Sequence, residues 1–292
     1  MTPQREDLID HACLIVDGPD QSGVVAAIAA LIARNQGNIV SLDQHSTDPS
    51  GGRFFQRVVF HRANFAVVKD EIEGDLAATL EPFGMSWTLN DLSIPKRMAV
   101  LASKDDHCLL DLLWRHRRGE LPVSIPMVIA NHTTTAEDVR SFGVPFFHVP
   151  SQTGPDKSQS EAEIVKLLKG NVDFVVLARY MQILSSDFLT QVGVPVINIH
   201  HSFLPSFKGA RPYHQAHARG VKLIGATAHY VTADLDEGPI IEQEVSRVDH
   251  THSPEQLTAI GRDLESVALA RAVNWHAQRR VLLNGDKTVI FG

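Results

Sequence analysis

The chain has 292 residues, of which 43% are hydrophobic and 21% are charged, and its formal net charge is -7. This length is sufficient for two domains, and the composition is that of a globular protein, which excludes a disordered or low-complexity chain. The acidic balance argues against a general attraction to nucleic-acid phosphates, so no nucleic-acid partner is expected.

The sequence also gives no sign of a membrane or of a redox site. Its first ten residues include acidic side chains and no apolar run, so we expect no signal peptide. No stretch approaches the roughly 18 consecutive apolar residues that would cross a bilayer. Cys13 and Cys108 lie far apart in apolar or helical surroundings and are predicted to be buried, inert thiols. We expect a cytoplasmic protein.

The first ninety residues predict a small α/β domain. Apolar side chains recur at helical spacing in residues 24–37, at Val24, Ile28, Leu31 and Ile32, and Gly37 is predicted to cap this helix. The letters PSGG separate two β-rich runs and indicate a hairpin. The resulting order, strand, helix, strand, strand, helix, strand, predicts a ferredoxin-like split βαβ sheet with helices on one face.

A polar segment with a proline, NDLSIPKR, predicts a domain boundary, which gives a first domain at 1–90, a linker at 91–96 and a second domain at 97–292. After this boundary, apolar runs alternate with helical patterns. Runs that are apolar throughout are typical of parallel strands buried on both faces. The second domain is therefore predicted to be a doubly wound, Rossmann-like α/β domain, closed by a long helix.

Ligands of such sheets bind beyond the carboxyl ends of the strands. The run VPVINIH brings Asn198 and His200 to such an end, on the same side of the strand, and a later polar turn supplies Asp236. An amide can stabilise an oxyanion, an imidazole can transfer a proton, and a carboxylate can orient that imidazole. These residue types predict a site for a small carbonyl group, although a purely structural histidine at a strand end remains an alternative.

Two longer stretches, NIHHSFLPSFKGARPYHQA and AHYVTADLDEGPII, resemble the folate-dependent formyltransferase fold, and VDFVVLARYMQILS is similar to the folate-binding stretch of that family. The family includes glycinamide ribonucleotide formyltransferase and methionyl-tRNA formyltransferase. The resemblance implies that Asn198, His200 and Asp236 are the catalytic residues. It also implies substrate contacts at Arg179, Tyr180, Met181, Ile183, Leu184, His201, Gly209, Tyr213 and His214.

Two departures from the transferases concern the formyl acceptor. The stretch LASKDDHCLLDLLW has consecutive acidic residues and no glycine, where transferases have a Gly- and Ser-rich phosphate loop. His201 replaces the proline that usually follows the catalytic histidine. Both departures make the chain similar to the deformylase branch, in which an ACT domain precedes the formyl-handling domain.

For that branch the resemblance implies hydrolysis of 10-formyltetrahydrofolate to formate and tetrahydrofolate, which supplies formate for purine synthesis and balances the one-carbon pool. Two alternatives stay open. One is a formyltransferase that acts on an amine, and the other is a regulatory amino-acid-binding protein with an inactive enzyme domain.

Several histidines near residue 200 raise the question of a metal. His214 and His217 have helical spacing, but no carboxylate or cysteine lies at a metal-site interval in this loop, so no metal and no bound cofactor is expected. His200 and His201 would point to opposite faces unless the strand ends between them. His201 is interpreted either as a water-positioning residue or as the donor or acceptor of an ordinary loop hydrogen bond.

In the first domain, the letters DGPDQSGVV place a helix start directly after a strand, and this geometry suits a carboxylate. The resemblance to ACT domains implies an amino-acid effector, methionine or glycine, bound between two copies of the chain in a homo-oligomer. Asp20, Gly23 and Asn38 are the candidate effector contacts. The alternatives are that this domain only mediates oligomer contacts and that Asp20 caps the helix.

Overall fold

A computed structural model describes residues 6–48, 50–151, 157–204 and 212–292. The chain divides into two compact units. The first contains the residues up to Pro95 together with Arg279–Leu282 and Val289–Gly292, and the second contains Lys96–Gln278 and Leu283–Thr288. The domain limits drawn from the sequence stay a prediction.

The first unit has the predicted βαββαβ order. Its four strands form an antiparallel sheet in the order β2-β3-β1-β4. The side chains of Val24, Ile28, Leu31 and Ile32 are all buried, as their spacing predicts. The elements are β1 (His11–Pro19), α1 (Val24–Arg34), β2 (Asn38–Ser46), β3 (Arg53–His61), α2 (Phe65–Leu80) and β4 (Ser86–Asp91).

Helix α1 ends differently from the prediction. Its C-cap is Asn35, and the residue with left-handed backbone is Gln36, with φ of 59°, rather than Gly37. The N–H of Gly37 donates to the carbonyl of Ile32 and the N–H of Gln36 to that of Ala33, which is the Schellman arrangement. Gly37 is needed for close packing instead, because a Cβ there would lie 2.8 Å from Cγ2 of Ile32.

The C-terminal residues contribute to the first unit, which the sequence analysis did not predict. The short strands β12 (Val281–Asn284) and β13 (Lys287–Ile290) pair with each other. Leu282 and Phe291 form a buried cluster with Phe55 of β3. These contacts explain why β3 is buried along both of its faces.

The second unit contains a seven-stranded sheet in the order β11-β10-β9-β8-β5-β6-β7. Strands β5 to β9 pair in parallel, and β10 is antiparallel to both of its neighbours. The predicted doubly wound architecture is confirmed. The strands are β5 (Lys96–Ala102), β6 (Val123–Ala130), β7 (Phe146–His148), β8 (Phe174–Ala178), β9 (Val196–His200), β10 (Leu223–Tyr230) and β11 (Ile240–Arg247).

Six helices belong to the described part of this unit: α3 (His107–Arg117), α4 (Ala136–Ser141), α5 (Ser158–Leu168), α6 (Ser186–Val192), α7 (Pro212–Arg219) and α8 (Pro254–Ala277). Two prolines and a glycine in residues 201–216 favour an irregular segment throughout, and helix α7 corrects this expectation. The N–H at the first position of a helix has no intrahelical acceptor, so a proline there begins α7 rather than breaking it.

No helix among the described residues is long and apolar enough to cross a membrane. Both cysteines are free and buried, as predicted, and burial raises the pKa of the Cys108 thiol. The sheet reverses its winding between β5 and β8, so ligands of such a fold are expected near the carboxyl ends of these strands.

Candidate active site

A cavity of about 300 Å³ lies in the second unit, beyond the carboxyl ends of β8 and β9 and beside the turn that follows β10. It brings Asn198, His200 and Asp236 together. It also contains a set of residues predicted to bind substrate: Arg179, Tyr180, Met181, Ile183, Leu184 and His201. Segments more than 50 residues apart in sequence therefore meet at one site.

His200 is the last residue of β9 and is 7% exposed. Its Nδ1 lies 3.3 Å from Oδ1 of Asp236. Within the part of the chain that the structure describes, its buried Nε2 has no hydrogen-bond partner. One ring nitrogen thus contacts a carboxylate, and the hydrogen-bonding capacity of the other is not used by the described residues.

The Asp236 carboxylate is suited to hold its negative charge. The hydrogen bond from His200 and the charge of that imidazole outweigh burial and lower the pKa of Asp236. Its backbone is left-handed, with φ of 59°, which is uncommon for a residue other than glycine. Two residues later, a Cβ on Gly238 would lie 1.8 Å from the carbonyl oxygen of Tyr230, so only glycine lets this turn pack against β10.

Asn198 is held by a neutral histidine on the neighbouring strand. Its Nδ2 lies 3.2 Å from Nε2 of His229, which is directly opposite in the pairing of β9 with β10. Nδ1 of His229 lies 2.9 Å from the carbonyl oxygen of Tyr230, which can only accept. The proton of His229 is therefore on Nδ1, and Nε2 accepts from Asn198. Burial lowers the pKa of His229, and this favours the neutral form.

This arrangement fixes the orientation of the Asn198 amide. One N–H of Nδ2 is used by His229, and the amide has a second N–H for a ligand in the cavity. The start of the loop after β9 is also held, because Leu204 donates its backbone N–H to Thr227 Oγ1, and that hydroxyl donates to the carbonyl of Ser202. Both hydrogen bonds are buried.

His201 stacks on His200 instead of pointing away from it. The strand ends at His200, so the expected alternation stops there, and the ring centroids lie 4.9 Å apart at an interplanar angle of 15°. Nη1 of Arg179 lies 2.7 Å from Nδ1 of His201. A guanidinium can only donate, so Nδ1 of His201 accepts and carries no proton.

Arg179 itself has left-handed backbone, with φ of 60°, and its side chain is 14% exposed. It pairs with Asp105, which follows β5, at 3.0 Å. The acidic stretch that replaces a phosphate loop thus provides a partner for Arg179. Two residues later, Met181 donates its backbone N–H to Oγ of Ser103, and this bond ties the ends of β5 and β8 together.

The remaining predicted substrate contacts lie elsewhere. Tyr213 is buried on α7, and its hydroxyl donates to Oε1 of Glu265 at 2.8 Å. Burial and that carboxylate raise the pKa of Tyr213. His214 is exposed on the same helix. Neither residue is among those that line the cavity, and Gly209 lies outside the described residues.

The effector candidates belong to the first unit. Asp20 accepts a hydrogen bond from the Ser46 hydroxyl of β2, and its backbone N–H donates to Gly52. The N-cap of α1 is Gly23, with φ of 96°, so the alternative that Asp20 is the helix cap is wrong. Asn38 is exposed at the start of β2.

Sequence reasoning missed His229, Asp105 and Glu265 as parts of the site. The available signal for His229 was its place in the same H-x-V-x-x-x-x-D motif that supplies Asp236. No local pattern marks Glu265, because it lies in the middle of the long helix α8 and its partners are more than 50 residues away.

One group of metal-ligand types occurs among the described residues. The ligand atoms of His107, Cys108 and Glu265 lie within 4.8 Å of one another. Both carboxylate oxygens of Glu265 already accept hydrogen bonds, and Nε of Arg179 lies 3.4 Å from one of them. This group is therefore better described as a buried carboxylate with its donors than as a cation site.

Comparison with protein families divides the chain in the same way as the fold. Residues 96–273 match the formyl transferase family model, and residues 14–76 match the ACT domain model. The first match covers all the strands that surround the cavity.

Similar proteins extend over nearly the whole chain. A formyltetrahydrofolate deformylase of Mycobacterium tuberculosis strain H37Rv is 55% identical over 97% of this chain and 91% of its own length. The crystal structure of a formyltetrahydrofolate deformylase from Burkholderia mallei is 46% identical, with a TM-score of 0.90, and covers 97% of this chain and 100% of its own.

A glycinamide ribonucleotide transformylase structure from Symbiobacterium toebii is 32% identical with a TM-score of 0.63. It covers 68% of this chain and 95% of its own. The transferase thus resembles only part of the chain, while the two deformylases each match 97% of it.

Proposed function

This chain belongs to the formyltetrahydrofolate deformylase family, whose members are hydrolases of a C–N bond, and we propose that its cavity hydrolyses 10-formyltetrahydrofolate to formate and tetrahydrofolate. The observation that carries the proposal is the geometry of His200. Its Nδ1 contacts Asp236, its buried Nε2 has no hydrogen-bond partner among the described residues, and the Asn198 amide lines the same cavity.

The proposed reaction begins when water attacks the formyl carbon and gives one proton to Asp236. The carbonyl electrons move to oxygen, and the Asn198 amide and the protonated Nε2 of His200 donate hydrogen bonds to this oxyanion. His200 then gives its proton to N10 as the C–N bond breaks, and formic acid leaves and ionises. Asp236 returns its proton to His200, which restores the starting state.

Asp236 has a second task in this scheme. Because its pKa is lowered, it is ionised at neutral pH and stabilises the imidazolium form of His200. These donors stabilise the oxyanion by themselves, so we propose that the reaction requires neither a resident metal nor a bound cofactor, with 10-formyltetrahydrofolate as the substrate.

We assign folate binding to the stretch after β8. Met181 and Ile183 are 57% and 61% exposed although they are apolar, and Leu235 across the cavity is 58% exposed. These exposed apolar side chains suit a flat aromatic ring, because a ring that covers them removes apolar surface from water. Tyr180 and Leu184 complete the wall. Polar substrate contacts are proposed for Arg179, His201, Gly209, Tyr213 and His214.

Water is the proposed acceptor, and the alternative is an amine. The charges of the β5–α3 region support water, because Asp105 and Asp106 lie where the helix begins and Asp105 already pairs with Arg179. Carboxylates at that position oppose an acceptor that carries a phosphate.

The ACT domain indicates regulation by a small molecule. We propose that the effector is methionine or glycine, bound at Asp20, Gly23 and Asn38 in a homo-oligomer. The proposed enzyme is cytoplasmic, supplies formate for purine synthesis and balances the one-carbon pool, without a nucleic-acid or membrane partner.

Isothermal titration with each amino acid, with Asp20→Ala as the control, tests the proposed effector. Heat of binding from either amino acid supports the proposal, and no heat from both contradicts it.

Substitutions at the three residues test the catalytic assignment. We expect Asn198→Ala to lower kcat by about 10²- to 10³-fold, because an oxyanion donor is lost, and His200→Ala and Asp236→Asn to lower it by a similar or larger factor. The measurement is formate release at saturating substrate, with circular dichroism to show that each variant is folded. The exposed His250→Gln serves as the control. Near-full turnover by folded Asn198→Ala or Asp236→Asn would contradict the assignment.

A further inference from the structure

Glu265 is a buried carboxylate that the proposed chemistry does not use. It lies in the middle of α8 and is 1% exposed. Oε1 accepts from the Tyr213 hydroxyl at 2.8 Å, and Oε2 accepts from Nε2 of His107 at 2.9 Å. Nε of Arg179 lies 3.4 Å from Oε2. Burying a charge costs free energy unless the charge is paired, so Glu265 depends on these three donors.

Glu265 is ionised in this position. Burial alone would raise its pKa, but the hydrogen bond from His107, the charge of Arg179 and the hydrogen bond from Tyr213 outweigh burial and lower the pKa below its usual value. The carboxylate is therefore a fixed negative charge within reach of Arg179.

Arg179 contacts two carboxylates of different exposure. The side chain of Asp105 is 47% exposed, whereas that of Glu265 is 2% exposed. An exposed ion pair is screened by water and contributes little, whereas a buried partner acts through a low dielectric. Glu265 is thus the stronger constraint on where the guanidinium lies.

The guanidinium connects Glu265 to the active site through His201. Nη1 of Arg179 donates to Nδ1 of His201 at 2.7 Å, and the ring of His201 stacks on that of His200. A His201 ring that accepts at Nδ1 is not an imidazolium, so the stacked pair contains at most one charged ring. The imidazolium of His200 then has no like charge beside it in the stack.

We propose that Glu265 is a positioning residue for the hydrolysis, which fixes Arg179 so that His201 stays stacked on His200 with Nδ1 unprotonated. This inference rests on the proposed function for its kinetic consequence. Its structural part, the tautomer and position of His201, does not depend on which reaction the cavity catalyses.

The test compares Glu265→Gln with a matched control. Glutamine has nearly the same shape but no charge, so Arg179 loses its buried partner, and we expect kcat to fall about tenfold. The control His107→Gln replaces the imidazole donor to the same carboxylate with an amide donor and leaves both Glu265 and Arg179 in place. It should keep kcat within twofold of the parent even if the melting temperature falls.

A double-mutant cycle separates positioning from general loss of stability. If Glu265 acts through His201, then Glu265→Gln should have little further effect on kcat in a His201→Asn background. Independent, multiplying effects of the two substitutions would overturn the proposal. A kcat of Glu265→Gln within twofold of the parent would overturn it as well.

Nuclear magnetic resonance of the histidine ring nitrogens provides a readout that needs no turnover. The parent should show His201 with an unprotonated Nδ1, assigned by its loss in His201→Asn, and Glu265→Gln should change that signal. The same His201 signal in both proteins overturns the inference, even when the enzyme is active. A parent that shows the expected signals but releases no formate would contradict the proposed function and leave the positioning role supported.

Discussion

At the residue scale, the site depends on groups that can only donate or can only accept hydrogen bonds. The carbonyl of Tyr230 forces the proton of His229 onto Nδ1, which leaves Nε2 to accept from Asn198. The guanidinium of Arg179 similarly requires an acceptor on His201. Two histidines next to His200 are therefore accounted for as neutral acceptors, whereas Nδ1 of His200 lies 3.3 Å from the carboxylate of Asp236.

The buried, neutral His229 makes stability depend on pH in a defined direction. Its pKa is lowered by folding, so it stabilises the fold above its unfolded pKa of about 6.5, and this contribution is lost as the pH falls through the folded pKa. Between pH 7 and pH 5 we expect the parent to lose more stability than His229→Gln, by at most about 1.4 kcal/mol per pH unit for a single group.

Urea unfolding of both proteins across this pH range measures the difference. His250→Gln, which removes an exposed histidine from the same unit, is the control for the loss of an imidazole. If the stability of His229→Gln falls as steeply as that of the parent, then His229 is not held neutral.

The sequence allowed the positions of Asn198, His200 and Asp236 to be predicted, because each stands at a strand end or turn and within a spaced motif. The structure brings them to one cavity, and their roles stay proposals. His229 lies in the motif that supplies Asp236 but was not singled out, and Glu265 lies in no motif. The importance of both residues comes from contacts across strands and helices. A histidine in an apolar strand and a glutamate in a long helix are ordinary features of a sequence.

At the element scale, strands and helices with a periodic apolar pattern were predicted correctly. Helix starts and ends, which depend on a single residue, were not. Strands that are apolar throughout, such as β8, correctly indicated a buried parallel sheet. Helix α7 was missed because a proline interrupts a pattern in the interior of a helix but not at its first position. The glycine nearest the end of α1 was taken for its cap, although the chain turns one residue earlier.

A substitution at the end of α1 is expected to stabilise the fold. Gln36 has left-handed backbone, which is costly for a residue with a Cβ, so Gln36→Gly is expected to raise the free energy of unfolding by about 0.5–1 kcal/mol. Chemical denaturation checks this value. The matched control is Gly37→Ala, whose Cβ would meet Ile32 and which should be destabilising. A destabilised Gln36→Gly would mean that the side chain of Gln36 contributes more than its backbone strain costs.

At the scale of the whole molecule, the chain combines an ACT unit and a formyl transferase unit. The two architectures were predicted from the order of the elements, and the two families from the resemblance of sequence motifs. The contribution of the last residues to the first unit was not predicted, because Leu282 and Phe291 meet Phe55 across more than 200 residues of sequence. No local pattern indicates such a contact. Relatives that match 97% of the chain share this two-part plan.

The proposed enzyme transfers the formyl group of 10-formyltetrahydrofolate to water. The most direct measurement is formate release by the purified protein, without an amine acceptor and with a chelator present. We predict formate and tetrahydrofolate in equal amounts, abolished by His200→Ala. No formate under these conditions, together with turnover when a candidate amine is added, would contradict hydrolysis and identify a transferase instead.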